Sequence, residues 1–165
     1  LYTIYRELKK INGIKIAMVG DLKYGRTVRS LSYLLSKYKN VEIFFVSPDP
    51  LKIGDDIKNH LREHKIRYSE YNKLDLVIEK ANVIYQTRIQ KERFPDIKKY
   101  EKFKSTYILN KKILVKINPK TIIMHPLPRV GEILTEVDNL PNAAYFRQTY
   151  YGLLIRMAIL KFLLS

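Results

Sequence analysis

Residues 14–27, IKIAMVGDLKYGRT, constrain what this chain can fold into more than any other stretch. Ile14, Ile16, Met18 and Val19 form a short apolar run that stops at Gly20, which predicts a buried strand. A polar turn follows. From Thr27 onward, Val28, Leu31, Leu34, Leu35 and Tyr38 recur at spacings of three and four, which predicts a helix. A strand that runs through a glycine turn into a helix is the unit of open α/β sheets, which bind ligands at the carboxyl ends of their strands. Backbone N–H groups and the helix N-terminus favour an anion at that point. Arg26 stands at the junction and adds a planar, permanently charged fork.

The same alternation continues along the chain. VEIFFVS at 41–47 reads as a second strand, and 55–64 as a helix with Asp55 and Asp56 in its first turn and Ile57 and Leu61 inward. A short, edge-like strand is predicted at 66–68, and a brief helix around Leu74, Val77 and Ile78. NVIYQ at 82–86 is the next strand. Residues 88–104 are polar, basic and contain Pro95, which predicts a long surface loop of the kind used as a lid or binding loop. Asn110 is placed to cap a helix facing inward through Ile113, Leu114 and Ile117. Thr121 to Met124 is a last buried strand, then comes a short strand at 143–145 and an apolar helix from Gln148 to Leu164. At the other end, LYTIYRELKK puts Leu1, Ile4, Tyr5 and Leu8 on one helical face, stopped by Asn12 and Gly13. Strands alternating with helices predict an α/β fold, a doubly wound, Rossmann-like parallel sheet with helices on both faces.

With 165 residues, 46% of them hydrophobic, the chain is large enough for one continuous core. It has no cysteine, which removes thiol chemistry and fits a reducing, cytoplasmic setting. The last apolar run contains Arg156 and Lys161 and is too short for a membrane span. Thirty-one Lys and Arg against 16 Asp and Glu give a net charge of +15, a field that attracts polyanions. The lysines are spread along the chain without interleaved stacking aromatics, so the excess reads as solvated faces and a nucleic-acid partner is not expected. The chain opens on Leu1 without an initiator Met or leader, and is read as a piece of something longer.

Chemistry gathers at the strand ends. Arg26, Arg88 and Arg129 each follow a different predicted strand, and in a doubly wound sheet those ends share one edge. Converging guanidinium groups match a dianion such as a dicarboxylate. Gly20, Gly25, Arg26 and Thr27 come within one residue of the phosphate-binding pattern GxxxxGK(S/T), but the lysine is replaced by arginine, and no later strand ends in an acid for Mg²⁺. His60 and His64 have metal-ligand spacing on one helix without an obvious third ligand, and read as solvated imidazoles. His125 ends a buried strand ahead of Pro126, Leu127 and Pro128. Carbonyls there are free to accept from an amine, and the bond before Pro128 suits the cis form. With no thiol, no carboxylate pair and no Ser-His-Asp pattern, catalysis here would rest on positioning and electrostatics.

Three stretches, GDLKYGRT at 20–27, TRIQKERF at 87–94 and HPLPR at 125–129, resemble the aspartate-binding domain of the catalytic chain of aspartate carbamoyltransferases. The opening LYTI and the closing YFRQTYYGLLIRMAIL are similar to that family too, so the likeness runs the length of the chain. The resemblance implies that Arg26 and Arg88 bind the two carboxylates of L-aspartate with help from Gln90. It implies that the carbonyls of Pro126 and Leu127 hold the α-amino group as it attacks carbamoyl phosphate, in pyrimidine synthesis. Lys23, Tyr24, Glu92 and Arg93 would serve loop and domain closure, with His125 and Arg129 in support. No metal and no organic cofactor is implied.

It further implies three parts: 1–12 as the tail of an inter-domain helix, 13–147 as the aspartate-binding domain, and 148–165 as an apolar helix packing on a carbamoyl-phosphate domain. The intact family would be a homo-oligomer, a trimer. This chain alone is expected to be inactive and to leave its first and last helices uncovered. One position departs from the family, which continues HPLPR with V-D-E. Gly131 stands for the acid, so Arg129 is expected to lack a carboxylate partner. The alternative reading is a stand-alone anion or nucleic-acid binding module on the same fold.

Overall fold

The computed structural model describes residues 1–91 and 97–165, with backbone alone at 97 and 99. Its centre is β1 (Lys15–Val19), flanked by β2 (Glu42–Val46) and β4 (Val83–Gln86), with β3 (Arg67–Tyr71) and β5 (Ile122–Met124) at the edges. The order is β3-β2-β1-β4-β5 and every pairing is parallel. The register sets Val19 against Val46 on one side and Gln86 on the other, so the carboxyl ends of the central strands finish level. The chain winds outward from β1 through β2 to β3, then crosses back to β4. The crevice between β1 and β4 is therefore the topological switch point, where ligands of such sheets sit.

Period-two alternation divides the core. Ile16 and Met18 of β1 face one layer, with Ile43 and Phe45, against α2 (Arg26–Leu35) and α3 (Asp55–Glu63) through Val28, Leu31, Leu35, Ile57 and Leu61. Ala17 and Val19 face the other, with Phe44 and Ile84, against Leu74, Val77, Leu114, Ile123 and Tyr145. A buried parallel sheet needs cover on both faces, and this one has it. α5 (Lys111–Leu114) starts as expected, the Asn110 side chain accepting from the Ile113 N–H at 2.9 Å.

Five expectations change. Residues 88–104 are not loop throughout, because α4 (Ile97–Phe103) fills the second half; Ile97, Tyr100 and Phe103 recur every three residues, a pattern hidden among lysines. The strand expected at 143–145 reduces to a single bridge between Ile123 and Ala143. Tyr145 already opens α6 (Tyr145–Leu164), since the buried Ala144 and Tyr145 are held against β5 by the Ala144 N–H on the Ile123 carbonyl, at 2.9 Å. The brief helix at Leu74 is a single 3-10 turn, Leu74–Leu76. α1 (Tyr2–Leu8) stops at Lys9, whose left-handed backbone (φ 57°) donates to the Tyr5 carbonyl, while Asn12 accepts from the Lys39 N–H instead.

The fifth change concerns α1's apolar face. Ile4 is fully buried in the sheet-face core with Leu1 and Leu8 packed beside it, and only Tyr5 stays exposed. α6 is what the sequence leads one to expect, with Tyr145 its one buried residue and Leu153, Met157, Leu160, Phe162 and Leu164 standing in solvent. No helix among the described residues is long and apolar enough to cross a membrane.

Candidate functional site

The loop after β1 is closed by its own side chain. Asp21, fully buried, accepts the Tyr24 N–H at 3.0 Å, while the N–H groups of Leu22 and Lys23 both donate to the Leu51 carbonyl, at 3.1 and 3.0 Å. Gly20 takes φ +113° and passes so near the next loop that a Cβ would lie 2.3 Å from the Thr87 carbonyl oxygen. Only glycine satisfies both conditions. Thr87 reciprocates, donating its N–H and hydroxyl to the Val19 carbonyl at 2.8 and 2.9 Å. The two loops at the switch point are thereby locked together, and Gly25 caps α2 with the helix's first N–H groups directed into the crevice.

That crevice is a cavity of about 210 Å³ lined by Tyr24, Gly25, Arg26, Thr27, Thr87, Arg88, Gln90, His125, Pro126, Leu127 and Pro128. Arg26, Arg88, Gln90, Pro126 and Leu127, which the sequence singled out from three separate stretches, therefore meet around one space. Two arginines and the N-terminus of α2 thus share one space with the 125–128 turn, whose carbonyls are available as acceptors. Such a space is complementary to a small molecule with carboxylates at one end and an amine at the other.

Other expected residues lie elsewhere. Lys23 is exposed, outside the cavity, with its ammonium 5.2 Å from the ring centroid of Tyr24 at the rim. Arg129 lines a separate surface cleft with Val130 and Gly131, so two of the three arginines converge and the third does not. Nor does Arg129 lack a partner. Asp138, nine residues on, pairs with it bidentately, one contact at 2.6 Å, and Tyr145 donates its hydroxyl to the same carboxylate at 2.6 Å. Asp138 does the work expected of an acid at 131. The Arg129 guanidinium holds its carboxyl below the usual range, and burial and the charge of Asp138 push the Tyr145 phenol up. Glu92 and Arg93 lie outside the described residues.

His125 forms part of the cavity wall and is 1% exposed. Its Nδ1 accepts the Leu127 N–H at 2.9 Å, its backbone N–H donates to Oε1 of Gln148 at 3.1 Å, and its Nε2 lies 2.7 Å from Oε1 of Glu132. The last approach is close but poorly aligned with the ring N–H. Glu132 also takes the Val130 N–H at 3.1 Å. Burial pushes its carboxyl up, but these hydrogen bonds outweigh burial and hold it below the usual range. Sequence reading missed Glu132, Gln148 and Asp138, because nothing local marks a side chain whose partner is 7 to 23 residues away. The sole signal for Glu132 was its place just beyond HPLPR.

His60, Glu63 and His64 present donor atoms within 4.8 Å of one another, so Glu63 joins the pair that the sequence left without a third member. The rings are engaged, however: His60 Nε2 with Ser36 Oγ at 2.9 Å, His64 Nδ1 with the His60 carbonyl at 2.8 Å, and Tyr33 tilted against His60 with ring centroids 4.3 Å apart. The group sits at the C-terminal end of α3, on the sheet edge opposite the cavity.

A doubly wound domain with an arginine-lined cavity at its switch point defines a small-anion binding domain of the open α/β class. The chain belongs to the aspartate/ornithine carbamoyltransferase family, whose Asp/Orn binding domain matches residues 12–163. It is 53% identical over 165 residues to aspartate carbamoyltransferase 2, chloroplastic, of Pisum sativum, covering 99% of this chain and 43% of that one. The catalytic subunit of Methanocaldococcus jannaschii aspartate transcarbamoylase superposes with a TM-score of 0.90 at 53% identity, over 98% of this chain and 53% of that one. A Trypanosoma cruzi aspartate transcarbamoylase solved with carbamoyl phosphate and aspartate superposes at 0.85, with 38% identity over 96% and 51%. The chain thus spans about half the length of the relatives it matches.

Proposed function

We propose that this chain is the L-aspartate-binding half of an aspartate carbamoyltransferase, and that the cavity at the switch point is its aspartate site. The observation that carries the reading is the meeting of Arg26, Arg88, Gln90 and the carbonyl turn 125–128 around one space. Arg26 and Arg88 take one carboxylate each, in planar forks that fix the ligand's direction as well as its charge. Gln90 adds a hydrogen bond. The carbonyls of Pro126 and Leu127 accept from the α-amino group and aim its lone pair outward. Carbamoyl phosphate, brought by a second domain, presents its carbonyl carbon to that lone pair. The new carbon–nitrogen bond forms, the carbon–oxygen bond to phosphate breaks, and the proton given up by the amine leaves on the departing phosphate. The products are N-carbamoyl-L-aspartate and phosphate.

In this reading the chain contributes approach and charge, not a nucleophile or a base of its own, and requires no cofactor. Its partner domain covers the exposed face of α6, with 1–12 and 148–165 as the flanking segments and 13–147 as the binding domain. The working enzyme is a homo-oligomer, a trimer, in the cytoplasm. The absence of cysteine supports a reducing compartment.

Calorimetric titration of this chain with L-aspartate, with succinate and with a short oligonucleotide tests the proposal. Saturable binding of both dicarboxylates is expected, as is no turnover of carbamoyl phosphate until the partner domain is supplied. Binding of the oligonucleotide alone would replace it with the anion-module reading.

A further inference from the structure

The turn that carries the Pro126 and Leu127 carbonyls is conformationally costly. Leu127 takes φ +50°, a left-handed backbone that leucine rarely adopts and that persists only when surrounding contacts over-determine it. Neither proline can contribute an N–H, so few backbone bonds are available to hold the turn. What holds it is His125. Because the Leu127 N–H donates to Nδ1, that nitrogen carries a lone pair, which leaves Nε2 to carry the ring N–H, 2.7 Å from Oε1 of Glu132. One imidazole thus joins the turn to a buried carboxylate.

Two residues outside the cavity hold His125, one at its ring and one at its backbone. Glu132 brings one oxygen to 2.7 Å from Nε2 and accepts the Val130 N–H with the other, bracketing the turn from its far side. Its own backbone is anchored, since its carbonyl accepts the Leu109 N–H at 2.9 Å and the Leu134 N–H returns to Leu109 at 3.0 Å. Gln148, in the first turn of α6, accepts the backbone N–H of His125 and ties the start of the segment to that helix. Neither residue lines the cavity. Glu132 is 7% exposed, a buried acid that the proposed reaction does not otherwise use.

We propose that Glu132 and Gln148 are positioning residues that act through His125 to aim the Pro126 and Leu127 carbonyls at the amine of the substrate. They set selectivity for an amino dicarboxylate over a plain one. The inference rests on the aspartate reading given above. It differs from a merely structural role in one respect: the two carboxylate-binding arginines sit on other segments, Arg26 at the start of α2 and Arg88 beyond β4, so a misaimed turn loses the amine and spares the carboxylates.

L-Aspartate and succinate differ by that amine alone, so the pair isolates the effect. Both ligands are titrated by NMR into this chain, into Glu132→Gln, which puts an amide donor where one oxygen accepted, and into Gln148→Leu, which removes the acceptor. Each variant is expected to lose about tenfold in aspartate affinity, the order for one misaimed hydrogen bond to a charged group. Succinate affinity should stay within about twofold. Equal losses for both ligands, or no loss for either, would overturn the proposal. In the same samples, ¹⁵N shifts of the His125 ring should report a protonated Nε2 and a bare Nδ1, and the opposite tautomer would also overturn it. If the parent chain binds neither ligand while the tautomer is as expected, the aspartate reading fails and the selectivity claim with it, but the hydrogen-bonded clamp on the turn stands.

Discussion

Arg147 grips Glu7 across almost the whole length of the chain, its Nε and Nη2 reaching the two carboxylate oxygens at 2.9 and 2.8 Å. Tyr151 adds its hydroxyl to the same carboxylate at 3.2 Å, and its ring meets Tyr2 edge-on. This polar seam joins α1 to α6, while Ile4 beneath it fixes α1 to the core. Arg147→Ala should therefore loosen α1 locally. The pair is bidentate but partly exposed, so the loss is about 1 kcal/mol. Hydrogen exchange should quicken in α1 and stay unchanged in β1 and β4; equal quickening of the central strands would show that the seam stabilises the whole fold.

At Gly20 the prediction is larger. Gly20→Ala must place a methyl group 2.3 Å from a backbone oxygen at a positive φ, and no flexible side chain is there to yield. Backbone strain alone costs about 1–3 kcal/mol, and the overlap with Thr87 adds to it by pushing the two switch-point loops apart. Chemical denaturation should show the loss. A parallel fall in dicarboxylate affinity is expected, because the first loop leads into Arg26 at the start of α2 and the second carries Arg88.

Much of this was readable in the sequence. The apolar run at 14–19 and the recurrence from Val28 obey periods that local sterics impose, so β1 and α2 were legible, as was the capping of α5 by Asn110. Arg26 and Arg88 were legible too, because parallel strands must end on one edge, but the same argument misplaced Arg129, and Gln90 was marked only by the likeness to the family. What could not be read was side-chain pairing over distance. Gly131 pointed to an unsupported Arg129, whereas Asp138 supplies the support from a later turn. Ile4 looked bare because its covering partners lie far along the chain. α4 was lost among lysines, whose charge says solvent but whose propensity permits helix.

Asp138, Glu132 and Glu7 all have carboxyls held below their ordinary values, the first by its hydrogen bonds from Arg129 and the third by those from Arg147, while in the second hydrogen bonds overcome burial. A folded state that depresses a carboxyl binds fewer protons than the unfolded chain. Its contribution is therefore complete above the ordinary value and is lost as pH falls through the folded one. Stability should thus hold at neutral pH and decline below about pH 4. Asp138→Asn should lower stability at pH 7 by about 1–2 kcal/mol and flatten the acid limb. An acid limb unchanged in slope would assign it to other carboxylates.

The exposed side chains of α6 lead to a prediction about association. Leu153, Met157, Ile159, Leu160, Phe162 and Leu163 are each more than half exposed on one helix, an apolar surface that water disfavours. Without a partner domain, this chain should self-associate reversibly, with a sedimentation coefficient that rises with concentration. Ile159→Lys combined with Phe162→Lys should shift it toward monomer. A concentration-independent monomer in the parent chain would mean that the helix needs no cover.

The last prediction separates charge from geometry at the cavity. Arg26→Lys keeps the positive charge but replaces a planar fork with a point charge on a flexible stem, so it cannot make two parallel hydrogen bonds to one carboxylate. Arg88→Ala removes charge and fork together. If each arginine takes one carboxylate, Arg88→Ala should cost about 2–5 kcal/mol in succinate binding, and Arg26→Lys a smaller but measurable part of that. The gap between them is the informative quantity. Equal, small effects would mean that the cavity attracts anions through its general field, and added salt would then erase them. Effects that are unequal and survive moderate salt would mean a desolvated, bidentate site. Far-UV circular dichroism should be unchanged in both variants, since Arg26 and Arg88 line the cavity and neither belongs to the buried core.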